Sequence, residues 1–138
     1  MRKTIAAALV VAASMLTLAG TAFAGKPSSS LSLVLVSPSQ TTALASAAAE
    51  ASYGSDVTFD VSSSETNRPF VNLRCYQNGA FVYDAWHGFF ASYAPEPNFT
   101  LASSYWLGGA ADCTARLVEW SRNGRERTLA SLDFHVSA

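Results

Sequence analysis

Val71 to Tyr83 reads V-N-L-R-C-Y-Q-N-G-A-F-V-Y. Val71, Leu73 and Cys75 alternate with Asn72, Arg74 and Tyr76. That period of two puts one side of a β-strand against a core and the other side outward. Asn78-Gly79 comes next, the dipeptide favoured by a type I′ turn because both of its central residues need positive φ. A return strand from Ala80 to about Trp86 completes a hairpin, and the rest of the chain can be placed around it.

On the N-terminal side, Asp56 to Ser62 alternates with Val57, Phe59 and Val61 on one face. Leu31 to Val36 is an earlier apolar strand, ended by Ser37-Pro38-Ser39. Thr41 to Ser52 is rich in alanine and favours helix by propensity. Leu44 is its only large apolar residue, however, so a helix there would bury little. It reads as a loop or a short helical excursion. On the C-terminal side, Phe99 to Leu101 is a strand, Trp106 to Ala111 a Gly-rich turn and Cys113 to Val118 a further strand. Asn123-Gly124 is a second hairpin signal. Thr128 to Val136 closes the sheet, with Ala130, Leu132, Phe134 and Val136 inward and Ser131, Asp133 and His135 outward. About seven short strands punctuated by turns are the pattern of an all-β, antiparallel sandwich.

The first 24 residues read as a secretory signal. Arg2 and Lys3 precede an uncharged apolar stretch from Ile5 to Leu18, and Ala22-Phe23-Ala24 supplies the small residues of a cleavage site. The stretch is shorter than the ~20 residues of a spanning helix, so no stable membrane anchor is expected after cleavage. Residues 25–30 form a small polar linker, and residues 31–138 form one domain. Loss of Arg2 and Lys3 from nine basic residues leaves seven against ten acidic ones, a net charge of −3. A nucleic-acid or anionic-membrane partner would need a clustered positive surface instead.

Cys75 and Cys113 are the only cysteines, and export to an oxidising compartment predicts a disulfide between them. In the chain-entropy description a loop of this length is worth roughly 4 kcal/mol. Two cysteines with no other ligands at metal-site spacing give no expectation of a metal or cofactor.

Four stretches carry a family likeness. G-S-D-V-T-F-D-V (54–61) resembles the second strand of immunoglobulin-like domains, and C-Y-Q-N-G (75–79) resembles their W-Y-x-N-G third strand. A-D-C-T-A (111–115) resembles the cysteine strand near their end. Together with L-A-S-L-D-F-H-V (129–136), these stretches are similar to small secreted immunoglobulin-like proteins of actinobacteria. The resemblance implies an immunoglobulin-like sandwich over about Leu31 to Ala138, outside the alanine-rich insert, and implies no activity. It also implies an unusual bridge. Cys75 stands where the core tryptophan would be, and the third and sixth strands are neighbours in one sheet. The disulfide would then pin strand register, leaving the inter-sheet core to Val57, Phe59, Leu101, Leu117 and Phe134.

Chemistry is sparse. His87 and His135 are the only histidines, and no nucleophile motif accompanies them. Asp84 and Glu96, which border an aromatic loop, are the only carboxylate pair worth naming for glycoside cleavage. A bridged cysteine is no nucleophile. The expectation is a non-catalytic secreted binding module with a protein or cell-surface glycan as partner.

Two surfaces are candidates. One is the loop of residues 86–97, with Trp86, His87, Phe89, Phe90 and Tyr93, which could stack on sugar or fold back to cap the sandwich. The other is the outer face of the cysteine-bearing sheet, with Arg74, Tyr76, Arg116, Val118 and Trp120 beside Asp133 and His135. Its bland alternative is a solvated face with Arg116 and Asp133 as a cross-strand pair. Coplanar exposed rings from Trp86, Trp106 or Tyr93 would favour sugar, and a flat Arg/Tyr/Trp face would favour protein.

Overall fold

The computed structural model describes residues 26–37, 40–43, 50–94 and 96–138. The expected signal peptide, residues 44–49 of the alanine-rich segment and Pro95 lie outside the described residues. Nine strands are present: β1 (Ser29–Ser37), β2 (Gln40–Ala43), β3 (Ala51–Ser52), β4 (Asp56–Ser63), β5 (Phe70–Gln77), β6 (Ala80–Gly88), β7 (Phe99–Thr100), β8 (Ala111–Trp120) and β9 (Glu126–Ser137). The two beyond the expected seven, β2 and β3, come from the flanks of the alanine-rich segment. Ser29 and Ser30, assigned above to the linker, instead pair with Ser63 and Ser62 and open β1. Among the described residues no helix is long and apolar enough to cross a membrane.

The strands form two sheets, β2-β1-β4-β7 and β3-β9-β8-β5-β6. All pairings are antiparallel except β3 with β9. With β1, β4 and β7 on one side and β5, β8 and β9 on the other, this is the strand order of an immunoglobulin-like sandwich, with β6 extending the second sheet. Asn78 and Gly79 both have positive φ, at 50° and 79°, as the type I′ turn demands.

Cys75 and Cys113 sit opposite each other in the β5–β8 ladder, and their sulfurs are bonded, with Cα atoms 4.1 Å apart. The bridge therefore lies within the second sheet. Between the layers, Val57, Leu101 and Leu117 are fully buried, Phe59 nearly so, and Phe134 packs against them. The core also has a tryptophan. Trp106 reaches in from the turn before β8, is fully buried, and donates from Nε1 to Gly109 O at 3.0 Å. Its ring lies 5.3 Å from Tyr53 and 6.4 Å from Tyr83. Trp106 therefore belongs to the core and not to any sugar-facing surface.

Arg127 of β9 ties the layers at one edge. Its Nε donates to Glu119 Oε1 at 2.7 Å and its Nη1 to Glu65 Oε1 at 3.0 Å. Glu65 Oε2 in turn accepts from the Ser29 hydroxyl at 2.7 Å. The two carboxylates raise the Arg127 pKa above its ordinary value, the Glu119 hydrogen bond contributing most.

Candidate functional site: the outer face of the five-stranded sheet

Strand register arranges this face in rows. Asn72 of β5 lies between Trp86 of β6 and Arg116 of β8. Arg74 lies between Asp84 and Thr114, and Tyr76 lies between Phe81 and Asp112. Two register shifts interrupt the rows: one between Cys75 and Tyr76, where β6 carries the extra residue Val82, and one between Leu117 and Val118, where β9 carries the extra residue Leu129. The alternation of β8 itself survives, so Arg116, Val118 and Trp120 share the outer face as expected. Val118 is nevertheless fully buried, because its neighbours on this face include Phe70, Arg116 and Trp120, all large enough to cover it.

Asn72 is also an outward residue that no water reaches. Its Oδ1 accepts from Arg116 Nη2 at 2.9 Å, and its Nδ2 donates to Asp84 Oδ1 at 2.6 Å and to Ala85 O at 3.3 Å. Arg116 Nη1 then meets Glu126 Oε1 at 2.9 Å. Asp84, Asn72, Arg116 and Glu126 thus form a continuous polar chain across β6, β5, β8 and β9. Arg74 Nε stands 3.6 Å from Asp84, buried and without a hydrogen-bond partner. The partly exposed ion pairs are each worth under ~1 kcal/mol. The buried amide matters more, since removing its partners would leave a desolvated group unsatisfied at about 1–3 kcal/mol.

Two aromatic pairs flank this chain. Trp86 and Trp120 lie 5.9 Å apart with rings tilted by 40°, and Tyr76 and Phe81 lie 5.7 Å apart edge to face. Tyr76, Trp120 and Phe81 are 41%, 49% and 51% exposed. Phe81 is absent from the expected set, although the turn type implies it. A two-residue loop at Asn78-Gly79 opposes Gln77 to Ala80 and Tyr76 to Phe81.

Several expectations change here. Arg116 pairs with Glu126 and not with Asp133, which accepts instead from the Thr114 hydroxyl at 2.7 Å. His135 keeps its expected place on the outer face, with its Nδ1 2.8 Å from Asp112 directly across the ladder. Asp84 is committed to Asn72 and Arg74 rather than to a pairing with Glu96.

The segment 86–97 divides. Trp86 and His87 belong to β6, which continues to Gly88. Phe89 is half-buried against Phe59, 6.4 Å ring to ring. Phe90 and Tyr93 pack edge to face on each other and on Phe70 at 5.3–5.8 Å, and the Arg68 guanidinium lies 5.1 Å from the Phe90 ring centre. Gly88 makes this possible, since a Cβ there would sit 2.6 Å from the Tyr93 ring and 2.7 Å from Phe90. Phe89 therefore covers the core beside Phe59, while Phe90 and Tyr93 cover Phe70 at the start of β5.

His87 faces inward with its ring 4.6 Å from Phe99, and its Nδ1 is buried without a partner. Burial pushes its pKa below the usual histidine value, partly offset by a hydrogen bond with the Asn98 backbone. The Tyr83 phenol is pushed up to about 12 by burial first and by Asp56 and Asp84 next. Among the described residues no three His, Cys, Asp or Glu side chains gather as metal ligands would.

The class defined by this geometry is an all-β, two-sheet sandwich with one cross-strand disulfide. Comparison with protein-family models, curated proteins and solved structures finds no match.

Proposed function

We propose that this is a secreted, non-catalytic interaction module that engages a protein partner through the outer face of its five-stranded sheet. The observation that carries the reading is the pair of aromatic couples, Trp86–Trp120 and Tyr76–Phe81, held on one face by the Asp84–Asn72–Arg116–Glu126 chain. Paired exposed rings on a rigid polar support are the composition of an interface centre, where Trp, Tyr and Arg dominate the binding energy. The N-terminal charge pattern and Ala22-Phe23-Ala24 support export, and a formed disulfide fits an oxidising destination. The four quoted stretches support a place among the small secreted immunoglobulin-like proteins of actinobacteria. A carbohydrate surface on residues 86–97 has less support, because Phe90 and Tyr93 are packed edge to face instead of lying side by side.

The test is capture from the envelope and culture medium of the producing organism, run beside a glycan array. A partner held by the wild type and lost by Trp120→Ala and Arg116→Ala supports the reading. A partner that both variants hold at wild-type affinity overturns it, and glycan binding without any protein capture replaces it with the carbohydrate reading.

A further inference from the structure

Residues 64–69, which link β4 to β5, meet the β8–β9 hairpin at one end of the five-stranded sheet, where Arg127 reaches Glu65. A cleft of about 300 Å³ lies here, lined by Thr66, Asn67, Arg68, Phe70 and Trp120. Its apolar walls are Phe70, which opens β5 opposite Val118, and Trp120, half-exposed at the end of β8. Its polar wall is braced. Arg68 N–H donates to Thr66 Oγ1 at 3.1 Å, and Pro69 O accepts from Phe89 N–H at 2.9 Å. The contact with the Phe90 ring positions the Arg68 guanidinium without using its N–H groups.

The charges around this cleft do not cancel. Residues 64–69 and 116–127 hold five arginines, Arg68, Arg116, Arg122, Arg125 and Arg127, against three acids, Glu65, Glu119 and Glu126. Arg127 takes Glu65 and Glu119, and Arg116 takes Glu126. Among the described residues Arg68, Arg122 and Arg125 enter no ion pair, and all three are exposed. Arg122 and Arg125 sit in the turn directly after Trp120. Ser121 N–H to Arg125 O and Gly124 N–H to Ser121 O, both 2.9 Å, close that turn. Toward the other end of the face the sign reverses. Asp112 and Asp133 are met there by His135 and the Thr114 hydroxyl and, among the described residues, by no arginine or lysine.

We propose that this cleft binds an acidic segment of the protein partner, with an aromatic side chain seated between Phe70 and Trp120 and neighbouring carboxylates on Arg68 and the arginines of the turn. The proposal rests on the sheet-face reading above and names the chemistry of its partner. A ring satisfies the apolar walls, and carboxylates match guanidinium forks that have no internal acid. The chain is net acidic as a whole and repels an acidic ligand at a distance, so binding of one has to come from the local excess of arginine.

Titration of the whole ¹⁵N-labelled protein, followed at the tryptophan indole N–H signals, tests the proposal. The probe is an end-blocked peptide with a central phenylalanine and a pair of glutamates on each side. It should saturably shift the Trp120 signal and leave that of Trp106, buried and bonded to Gly109 O, in place. Arg68→Gln should weaken binding by at least about fivefold, the loss of one partly exposed ion pair, and salt at about 1 M should weaken it further. Lysine in place of the glutamates should abolish the shift, and serine in place of phenylalanine should weaken binding by at least about fivefold. The proposal is overturned if no saturable shift appears by about 5 mM, if the lysine or serine peptide binds as well, or if Arg68→Gln changes nothing. It is equally overturned if oligothymidylate, a phosphate-backbone probe, binds more tightly than the glutamate peptide. The two readings fail separately. A captured partner that Trp120→Ala loses, but that Arg68→Gln and Arg122→Gln both hold at wild-type affinity, overturns this proposal and leaves the sheet face standing.

Discussion

The two sheets turn different characters outward. On the first, Ser30, Ser32, Asp60 and Ser62 stand in solvent, short polar side chains that lose little by remaining hydrated. On the second, Tyr76, Phe81 and Trp120 keep roughly half of their surface in water, with Trp86 beside them. Under those rings lies a fully buried amide, Asn72, with its hydrogen bonds made. A lone exposed aromatic needs no explanation, but adjoining pairs on a satisfied polar support form a contiguous, preorganised surface. The same contrast extends to covalent bonding, because the disulfide pins only the second sheet.

The largest test of that contrast removes the bridge. Cys75→Ala with Cys113→Ala should lower unfolding free energy by about 4 kcal/mol in urea titration, since the closed loop no longer restrains the unfolded chain. A loss below about 1 kcal/mol would show that the ladder alone holds the second sheet in register. Next in size is the polar chain. Asn72→Ala strips partners from both Arg116 and Asp84 and should cost about 1–3 kcal/mol. Ser32→Ala on the opposite face should stay within about 0.5 kcal/mol. Equal costs would mean that the second face is no more organised than the first.

A third test uses pH, and its titrating groups lie on the inner face of the second sheet. His87 has a lowered pKa in the folded state. Above the unfolded value of about 6.5 both states are neutral and the group contributes nothing. As pH falls below that value the unfolded chain takes up the proton first, so stability drops until the folded pKa is passed. His87→Phe should flatten this acid limb. At the alkaline end the unfolded chain loses the Tyr83 proton near 10, whereas the folded protein holds it to about 12. Stability should therefore fall between those values in the wild type and fall less in Tyr83→Phe. Urea midpoints across pH read both limbs.

Local patterning made most of the fold legible. Alternation located β4, β5, β8 and β9, the Asn78-Gly79 turn fixed the central hairpin, and cysteine count gave the bridge, while its place between neighbouring strands β5 and β8 was what the immunoglobulin-like resemblance implied. Residues whose neighbours come from distant sequence were not legible. Trp106 sits in a glycine-rich turn with no periodicity to mark it, and only the approach of Tyr53 and Tyr83 makes it core. Asn72 alternates outward like any solvated residue, and its burial depends on Arg116, 44 positions later. Arg116 itself could have paired with Asp133 by face alone. The lateral register of β8 on β9, which includes the Leu129 bulge, decides for Glu126. The alanine-rich flanks became edge strands because β1 and β9 offered them ladder partners, a tertiary effect that outweighs helix propensity.

The smallest effect on stability should accompany the sharpest effect on binding. Trp120 is half-exposed at the end of β8, and Trp120→Ala should cost about 1 kcal/mol or less in folding, mainly because the Trp86 ring loses its neighbour. Leu107 is the proper control, because at 91% it is far more exposed, yet it stands on the turn beside Trp106 and away from the polar chain. If bare apolar exposure governed recognition, Leu107→Ala would weaken a captured partner more than Trp120→Ala. If a preorganised face governs it, Trp120→Ala should weaken binding by about thirtyfold, the loss of ~2 kcal/mol that marks an interface hot spot. Leu107→Ala should leave affinity within about twofold, inside the range of a neutral rim residue. Titration of both variants against one partner, by calorimetry, separates exposure from organisation.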